Sequence, residues 1–219
     1  MPSTTRRLPA PSSDAAQPDS LARSRLLDAV IEYVATEGLH DQSLRTIATA
    51  VGSSHRMLLY HFGSKDGLLV AVARAVEART RAQFAELVVD ALATPDQMIQ
   101  RMWTLVADPE LADFERLFFA LYGRALQGDN AVRPLLAGAT EDWVEANVAM
   151  AAAVGVPAEI ARVHGRLGVA VIRGLLLDLL ATGDRAGVDA ALEVYAQSYA
   201  GGWEGPLSSG RTGVTDRAS

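Results

Sequence analysis

Apolar residues recur at helical spacing along most of the chain, and residues typical of helix caps separate the resulting segments. The first segment predicts a helix over residues 21–36, with Asp19 or Ser20 as its cap and Gly38 at its end. Its apolar stripe consists of Leu26, Leu27, Val30, Ile31 and Val34.

Two short helices joined by a tight turn are predicted next. Ser43 is placed to cap the first of them, and Gly52 ends it, because glycine enters the left-handed conformation of a helix end without steric cost. Ser53 or Ser54 then supplies the cap of a second helix over residues 55–62. The buried stripe of the first helix consists of Leu44, Ile47, Ala48 and Val51. The pattern is typical of a helix-turn-helix.

The second of these helices has an inner and an outer face. Leu58 and Phe62 are predicted to pack inward. The side chains predicted to point outward are His55, Arg56, Leu59 and Tyr60.

The rest of the chain also has a helical pattern. Ser64 is placed to cap a long helix over residues 65–89. Further helices are predicted from Pro95 onward and over residues 111–126, 132–154, 158–182 and 188–200. The fold class is therefore all-α.

The segment from Ser43 to Leu69 resembles the DNA-binding signature of the TetR family of transcriptional regulators. The matching residues are Ser43, Leu44, Ile47, Ala48, Val51, Gly52, Ser54, Leu58, Tyr60, His61, Phe62, Gly63, Ser64, Lys65, Asp66, Leu68 and Leu69. Two positions depart from the pattern: Ser53 replaces a small apolar residue, and Leu59 replaces an aromatic residue that faces DNA. The resemblance covers residues 21–76.

The resemblance implies a small three-helix DNA-binding domain and a larger helical domain for ligand binding and dimerisation. We expect the first over residues 21–66 and the second over residues 67–202, with disordered tails at 1–20 and 203–219. The resemblance also implies a homodimer in which the last two helices pair with their symmetry mates in a four-helix bundle. The high apolar content of residues 168–180 is compatible with that pairing.

The charge of the chain is unevenly distributed. The net charge is −6, yet residues 1–82 hold ten basic and eight acidic residues, whereas the remainder holds ten and eighteen. Because attraction to phosphate is local and is screened beyond about 10 Å, an acidic body is compatible with DNA binding.

The resemblance also implies a set of DNA contacts. The residues expected to approach bases are Arg45, His55, Arg56, Leu59 and Tyr60. The residues expected to hold phosphates are Ser43, Thr46, Ser54, Tyr60, His61 and Lys65. The alternative is structural: Tyr60 and His61 pack against the first helix, and Ser43 and Ser54 only cap helices.

Aromatic residues are dense between residues 103 and 143, and polar residues accompany them. We expect an apolar cavity for a small hydrophobic or aromatic molecule. Its predicted residues are Trp103, Phe114, Phe118, Tyr122, Trp143, Asn147, His164 and Arg173. The alternative is that the aromatic residues fill the core.

Several classes of protein are disfavoured by the sequence. The chain has no cysteine, which excludes a disulfide or a thiolate site. Its histidines show no metal-ligand spacing, and no nucleophile, dinucleotide or phosphate-loop motif is present, so we expect no catalytic residue, metal or cofactor. With neither a membrane span nor a secretory signal predicted, we place the protein in the cytoplasm.

The sequence thus predicts a ligand-responsive transcriptional regulator, a repressor that binds an inverted-repeat DNA operator as a dimer and is released by its effector. The competing hypothesis is a helical small-molecule-binding or protein-interaction module that does not read DNA specifically. A small helical enzyme that uses His164 is a third class.

Overall fold

A computed structural model of the protein describes residues 16–38, 42–87, 94–153 and 155–199. Within these ranges the chain forms nine α-helices and no strand, which confirms the all-α prediction. The helices are α1 (Ala16–Glu37), α2 (Leu44–Ala50), α3 (His55–Phe62), α4 (Lys65–Leu87), α5 (Pro95–Val106), α6 (Ala112–Leu126), α7 (Glu141–Ala153), α8 (Ala158–Thr182) and α9 (Arg185–Gln197). Of the predicted tails, residues 1–15 and 203–219 lie outside the described residues.

Backbone contacts divide the chain into two units between Leu68 and Leu69, inside α4. The predicted boundary lies two residues earlier. The first unit contains α1, α2, α3 and the first turn of α4, and the second contains the rest.

The first unit is a helix-turn-helix supported by α1. Its core consists of Val30, Ile31, Val34, Leu44, Ile47, Ala48, Leu58, Phe62 and Leu68. The predicted caps are confirmed: the Ser43 hydroxyl accepts from the Thr46 amide at 3.2 Å, and the Ser54 hydroxyl accepts from the Met57 amide at 3.2 Å. Between the two helices Gly52 has φ 66°, the left-handed conformation that the turn requires.

Helix α1 begins at Ala16, five residues earlier than predicted, so residues 16–20 are helical and not part of a tail. Asp19 and Ser20 therefore lie within the helix and do not precede it. Pro18 is compatible with this start, because the first turn of a helix has no internal partner for the amide that proline lacks.

In the second unit α7 packs along α8, and α9 packs against both α5 and α8. Gly165 on α8 allows the close approach to α7, because a Cβ atom there would lie 3.0 Å from the Cβ of Asn147. The core of this unit includes Phe84, Trp103, Trp143, Leu176 and Leu192.

The helix predicted over residues 132–154 is wrong at its start. Residues Arg133–Leu136 form a 3₁₀ turn, and α7 begins only at Glu141. Pro134 lacks an amide hydrogen, and Gly138 has φ 80°, so neither residue continues an α-helix. Helix α9 begins at Arg185 instead of residue 188, because Asp184 caps it through the Gly187 amide at 2.9 Å.

None of the helices in the described ranges combines the length and the apolar content that a membrane span requires.

Candidate nucleic-acid interface and ligand cavity

The outer face of α3 carries side chains that differ sharply from those of its inner face. Leu58 is fully buried, whereas Tyr60 is 68% exposed. Arg56 and Leu59 are also exposed, and His55 is half-buried at the amino end of the helix. The short helix is therefore fixed by its inner residues and presents a mixed polar and aromatic surface, which suits a major groove.

The same unit carries further polar groups at the starts of α2, α3 and α4. Ser43, Arg45, Thr46 and Ser54 are exposed, and Lys65 is half-buried. The hydroxyls of Ser43 and Thr46 lie 2.9 Å apart, in addition to the capping bond of Ser43.

Arg23 connects α1 to the carboxyl end of α3. Its Nε donates to the backbone carbonyl of His61 at 3.3 Å, and its guanidinium lies 4.9 Å from the centre of the Phe62 ring. A cation at a helix carboxyl end is favourable because the unpaired carbonyls there carry partial negative charge. This contact helps to set the orientation of α3.

The second unit contains a cavity of about 100 Å³. Its apolar lining includes Phe84, Met98, Ile99, Met102, Val106, Trp143, Met150, Val169, Ile172 and Leu176. Its polar lining consists of Glu77, Glu115, Asn147, His164, Arg173, Tyr195 and Tyr199. A mainly apolar wall with a few converging polar groups is typical of a small-molecule site.

Glu77 is the best-connected acidic group of the cavity. It accepts a hydrogen bond from the indole Nε1 of Trp143 at 2.7 Å and lies 3.6 Å from Arg173 and 3.7 Å from Arg81. Burial raises the pKa of Glu77, and the Trp143 hydrogen bond and the two arginines oppose that rise.

Glu115 has no comparable partners. It is only 8% exposed, and none of the described residues forms a hydrogen bond or an ion pair with it. Burial, followed by repulsion from Glu77, raises the pKa of Glu115 to about 8, while the charge of Arg173 lowers it. The side chain is therefore mostly protonated at neutral pH.

Arg173 is held firmly beside these carboxyl groups. Its guanidinium donates to the Ala139 carbonyl at 2.5 Å and to the Thr140 hydroxyl at 3.1 Å. It also lies 4.9 Å from the centre of the Phe118 ring and 5.9 Å from that of Tyr122. Its charge is thus shared between a carbonyl, a carboxylate and two aromatic rings.

Elsewhere in the cavity lining, the Nδ1 atom of His164 lies 2.8 Å from the hydroxyl of Tyr199, and the Tyr195 and Tyr199 rings meet edge to face. Burial lowers the pKa of His164 and raises the pKa of both tyrosines. All three side chains are therefore neutral at physiological pH.

Residues 26–72 match the family model described as bacterial regulatory proteins of the tetR family. These residues therefore form a DNA-binding domain of the TetR family.

Other comparisons agree with this TetR-family assignment. The chain is similar to the HTH-type transcriptional repressor NicS of Pseudomonas putida, with 28% identity over 142 residues. That alignment covers 61% of this chain and 66% of NicS, which is slightly less than two thirds of the relative.

Solved structures share the fold. A transcriptional regulator from Rhodococcus sp. Rha1 has a TM-score of 0.62 and 20% identity, with 81% of this chain and 95% of that chain covered. The multidrug binding protein EbrR, complexed with imidazole, has a TM-score of 0.56 and 26% identity, with 81% and 89% covered.

His61, one of the predicted DNA contacts, lies inside the helix-turn-helix unit, as the structural alternative expects. The side chain of His61 is only 3% exposed, with its Nδ1 atom 3.7 Å from Asp19 and its ring against Tyr60 and Phe62. A side chain buried in this way packs the domain and is poorly placed to reach a phosphate.

The other residues predicted to contact DNA all lie in the first unit, and their contacts with DNA stay predictions. Both capping serines are exposed, so the structure shows their capping role and leaves their hydroxyls near the surface. These residues are Ser43, Arg45, Thr46, Ser54, His55, Arg56, Leu59, Tyr60 and Lys65.

The predicted ligand residues divide into two groups. Trp143, Asn147, His164 and Arg173 line the cavity, whereas the other four do not. Those four are Trp103, Phe114, Phe118 and Tyr122. The first three of these are buried in the core, where Trp103 donates to Asp189 at 2.6 Å, and Phe118 stacks on Tyr122 with ring centres 5.5 Å apart. They fill space between helices, in agreement with the alternative interpretation.

Sequence reasoning missed the two acidic residues of the cavity. Glu115 lies in phase with the buried stripe Phe114, Leu117, Phe118 and Leu121 of α6. Glu77 follows Val76 and precedes Thr80 on the buried side of α4. A carboxyl group inside an apolar stripe is the signal that could have identified both.

Proposed function

We propose that this TetR-family chain is a ligand-responsive transcriptional repressor that acts in the cytoplasm and binds an inverted-repeat operator as a homodimer. The observation that carries the proposal is the exposed face of α3, which is fixed from behind by Leu58 and Phe62. Such a helix presents its outer side chains in a defined orientation, as base readout requires.

In this proposal Arg45 and Arg56 read bases from α2 and α3, with His55, Leu59 and Tyr60 beside them. Arginine reads guanine through two hydrogen bonds to O6 and N7, and one such contact is worth about 1 to 3 kcal/mol of discrimination. Ser43, Thr46, Ser54 and Lys65 contact phosphates and fix the register.

The homodimer forms through α8 and α9. Their large exposed apolar side chains are Ile160, Val163, Leu167, Leu177 and Val194. Exposed apolar residues at spacings of three and four on α8 favour a packed partner helix. A twofold dimer places its two recognition helices in successive major grooves, about 34 to 36 Å apart.

The effector occupies the cavity of the second unit, and α4 is the element through which it acts. Glu77 and Phe84 of α4 line the cavity, and the first turn of the same helix belongs to the DNA-binding unit. An effector changes DNA affinity only if it binds one conformation better than the other, with a typical coupling of about 1 to 3 kcal/mol. EbrR, a multidrug binding protein complexed with imidazole, supports ligand binding by this fold.

The test is selection of bound duplexes from a random DNA pool at near-physiological salt. Wild type is compared with Arg45→Ala and Arg56→Ala, and with Arg133→Ala as a control from an exposed site in the second unit. We expect a palindromic consensus for wild type and for the control, which both of the other variants lose or relax.

Absence of any enriched sequence, with the protein folded and dimeric, would overturn the proposal. That outcome favours the competing function, a helical small-molecule-binding or protein-interaction module. Exposed Leu59 in place of an aromatic residue and the net charge of −6 are the observations behind this second candidate.

A further inference from the structure

The charged groups in and beside the cavity do not balance. Glu77, Glu115 and Arg173 line it, and Arg81 and Asp142 lie beside Glu77, joined to each other at 3.1 Å. If ionised, the three lining residues would carry one net negative charge, whereas Arg81 and Asp142 neutralise each other and the Asp142 side chain is 49% exposed.

The uncompensated charge belongs to Glu115. Arg173 and Arg81 both lie within 4 Å of Glu77, whereas Glu115 makes no ion pair or hydrogen bond with any described residue. An ionised carboxylate that is nine-tenths buried without a partner is strongly unfavourable. Glu115 avoids this state by holding a proton, in keeping with the pKa of about 8 that burial and Glu77 give it.

The other residues that line the cavity supply no charge beyond that of Arg173. From α8 come Arg173 and His164, and burial keeps His164 neutral. From α9 comes Tyr195, and from the turn just after α9 comes Tyr199; burial raises the pKa values of both. The residues that α5 and α7 contribute to the lining, within the described chain, are uncharged.

The wall around this carboxyl group is aromatic and thioether-rich. Phe84, Trp143, Tyr195 and Tyr199 all line the cavity, together with three methionines. Aromatic faces attract cations, and they also desolvate alkyl groups attached to a charged nitrogen. The site therefore offers an acidic group and a surface for an apolar cation in one place.

We propose that the effector is a small organic monocation whose charged nitrogen lies against Glu115 and whose apolar groups lie against the aromatic wall. The inference rests on the proposed function, because it names the chemical class of the effector, and it narrows the expectation of a hydrophobic or aromatic molecule. On binding at neutral pH, the Glu115 carboxyl O–H releases its proton to solvent, and the resulting carboxylate pairs with the cation. The site is electrically neutral before and after binding.

The experiment uses the full chain and matched pairs of probes. The cations are choline, benzyltrimethylammonium and hexyltrimethylammonium, and each is paired with its neutral carbon isostere, such as 3,3-dimethylbutan-1-ol for choline. Isothermal titration calorimetry gives Kd for wild type, Glu115→Gln and Glu110→Gln. The last variant is the control, because Glu110 is an exposed glutamate of the same unit that does not line the cavity.

We expect at least one cation to bind wild type and the Glu110→Gln control more tightly than its isostere. Glu115→Gln should weaken that binding by roughly tenfold or more and leave the isostere unaffected. In wild type, cation affinity should rise about tenfold from pH 7 to pH 9, because protonation of Glu115, with a pKa of about 8, competes with binding. The binding enthalpy at pH 7 should vary with the ionisation enthalpy of the buffer, which reports the released proton.

The proposal would be overturned if the isosteres bind as tightly as the cations. It would also be overturned if neither Glu115→Gln nor pH changes the affinity for the cations. A panel in which no cation binds at millimolar concentration would overturn it as well. The wild-type pH series keeps the test decisive even if Glu115→Gln does not fold.

DNA selection on the same samples separates this proposal from the proposed function. Cation binding through Glu115 without specific DNA binding would refute the regulator and retain the cation site. Specific DNA binding without cation binding would refute the cation site and retain the regulator.

Discussion

The indole Nε1 of Trp143 on α7 donates a 2.7 Å hydrogen bond to Oε2 of Glu77 on α4. The same carboxylate oxygen lies 3.6 Å from the Nη2 atom of Arg173 on α8. Three helices of the second unit therefore meet at one largely buried carboxylate beside the cavity. Because a buried charge is costly unless its partners are in place, this contact fixes the position of α4 relative to α7 and α8.

The first prediction concerns this hydrogen bond. Trp143→Phe keeps an aromatic ring under Arg81 but removes the donor, so we expect the free energy of unfolding to fall by about 1 to 3 kcal/mol. Trp103→Phe is the matched control, because Trp103 donates to Asp189 at 2.6 Å and that carboxylate is 44% exposed and also paired with Arg185. Trp103→Phe should lower the free energy of unfolding by less than Trp143→Phe, since water can replace the indole donor at the exposed Asp189 carboxylate. Urea denaturation tests which variant loses more free energy of unfolding. An equal loss in both would contradict the role given to Glu77.

The second prediction is a pH dependence of stability that comes from Glu115. The pKa of this group is about 8 in the folded protein, against an ordinary value of 4.5. The folded state therefore binds more protons than the unfolded state between these values, and the free energy of unfolding falls as the pH rises through that window. The limiting slope for one group is about 1.4 kcal/mol per pH unit, and the loss ends above pH 8.

Comparison with Glu115→Gln isolates this contribution. The glutamine variant has no proton to lose, so its free energy of unfolding relative to wild type should increase from pH 5 to pH 8 and then level off. Denaturant titrations at several pH values measure the difference. A constant difference across that range would show that Glu115 ionises normally in the folded state.

The helix-turn-helix could be predicted from the sequence almost residue by residue, because its determinants are local. Ser43, Gly52 and Ser54 act within one helical turn of their own positions, and the spacing of the apolar residues identifies the buried face. The break before α7 was also encoded locally, by Pro134 and Gly138, but the apolar residues around it masked these signals.

The cavity could be predicted only in part, because its lining comes from elements far apart in the sequence. The sequence singles out Trp143 and His164 as aromatic or polar residues in apolar segments, yet the same criterion selects Phe114 and Phe118, which fill the core. Whether an aromatic side chain lines a cavity depends on how helices pack, and helical periodicity carries no information about that.

The third prediction separates the two roles of Ser54. Ser54→Ala removes the cap of α3 and should lower the free energy of unfolding by about 1 kcal/mol. Ser54→Asp retains an acceptor for the Met57 amide, so it should be nearly as stable as wild type, but its negative charge should repel a DNA phosphate. Thermal unfolding and operator binding measured side by side test this. Unchanged operator affinity in Ser54→Asp would limit Ser54 to capping.

The fourth prediction follows from the burial of His61. His61→Ala should lower the free energy of unfolding by about 1 to 3 kcal/mol, because it removes a packed ring between Tyr60 and Phe62. Below the unfolding transition, its operator affinity should change far less than that of Arg56→Ala. If the slope of log affinity against log salt concentration instead becomes shallower by about one in His61→Ala, the variant has lost a phosphate contact.

The fifth prediction addresses the exposed apolar side chains of α8. Val163 is 53% exposed and Leu167 is 40% exposed, although both are apolar and lie one helical turn apart. If this face packs against a second copy, then Val163→Glu and Leu167→Glu bury a charge at the interface and should shift the protein to monomers. Arg116→Glu, at an exposed site on α6, should leave the oligomeric state unchanged.

Sedimentation velocity over a range of protein concentrations measures this shift, and circular dichroism confirms that the variants remain folded. Loss of the dimer should also weaken operator binding, because a monomer engages only one half-site and loses the gain from linked binding. Variants that stay dimeric with both substitutions present would place the interface elsewhere on the second unit. In that case another pair of helices would form the dimer interface. The distance between the two recognition helices, and with it the predicted spacing of the inverted repeat, would have to be derived from that interface.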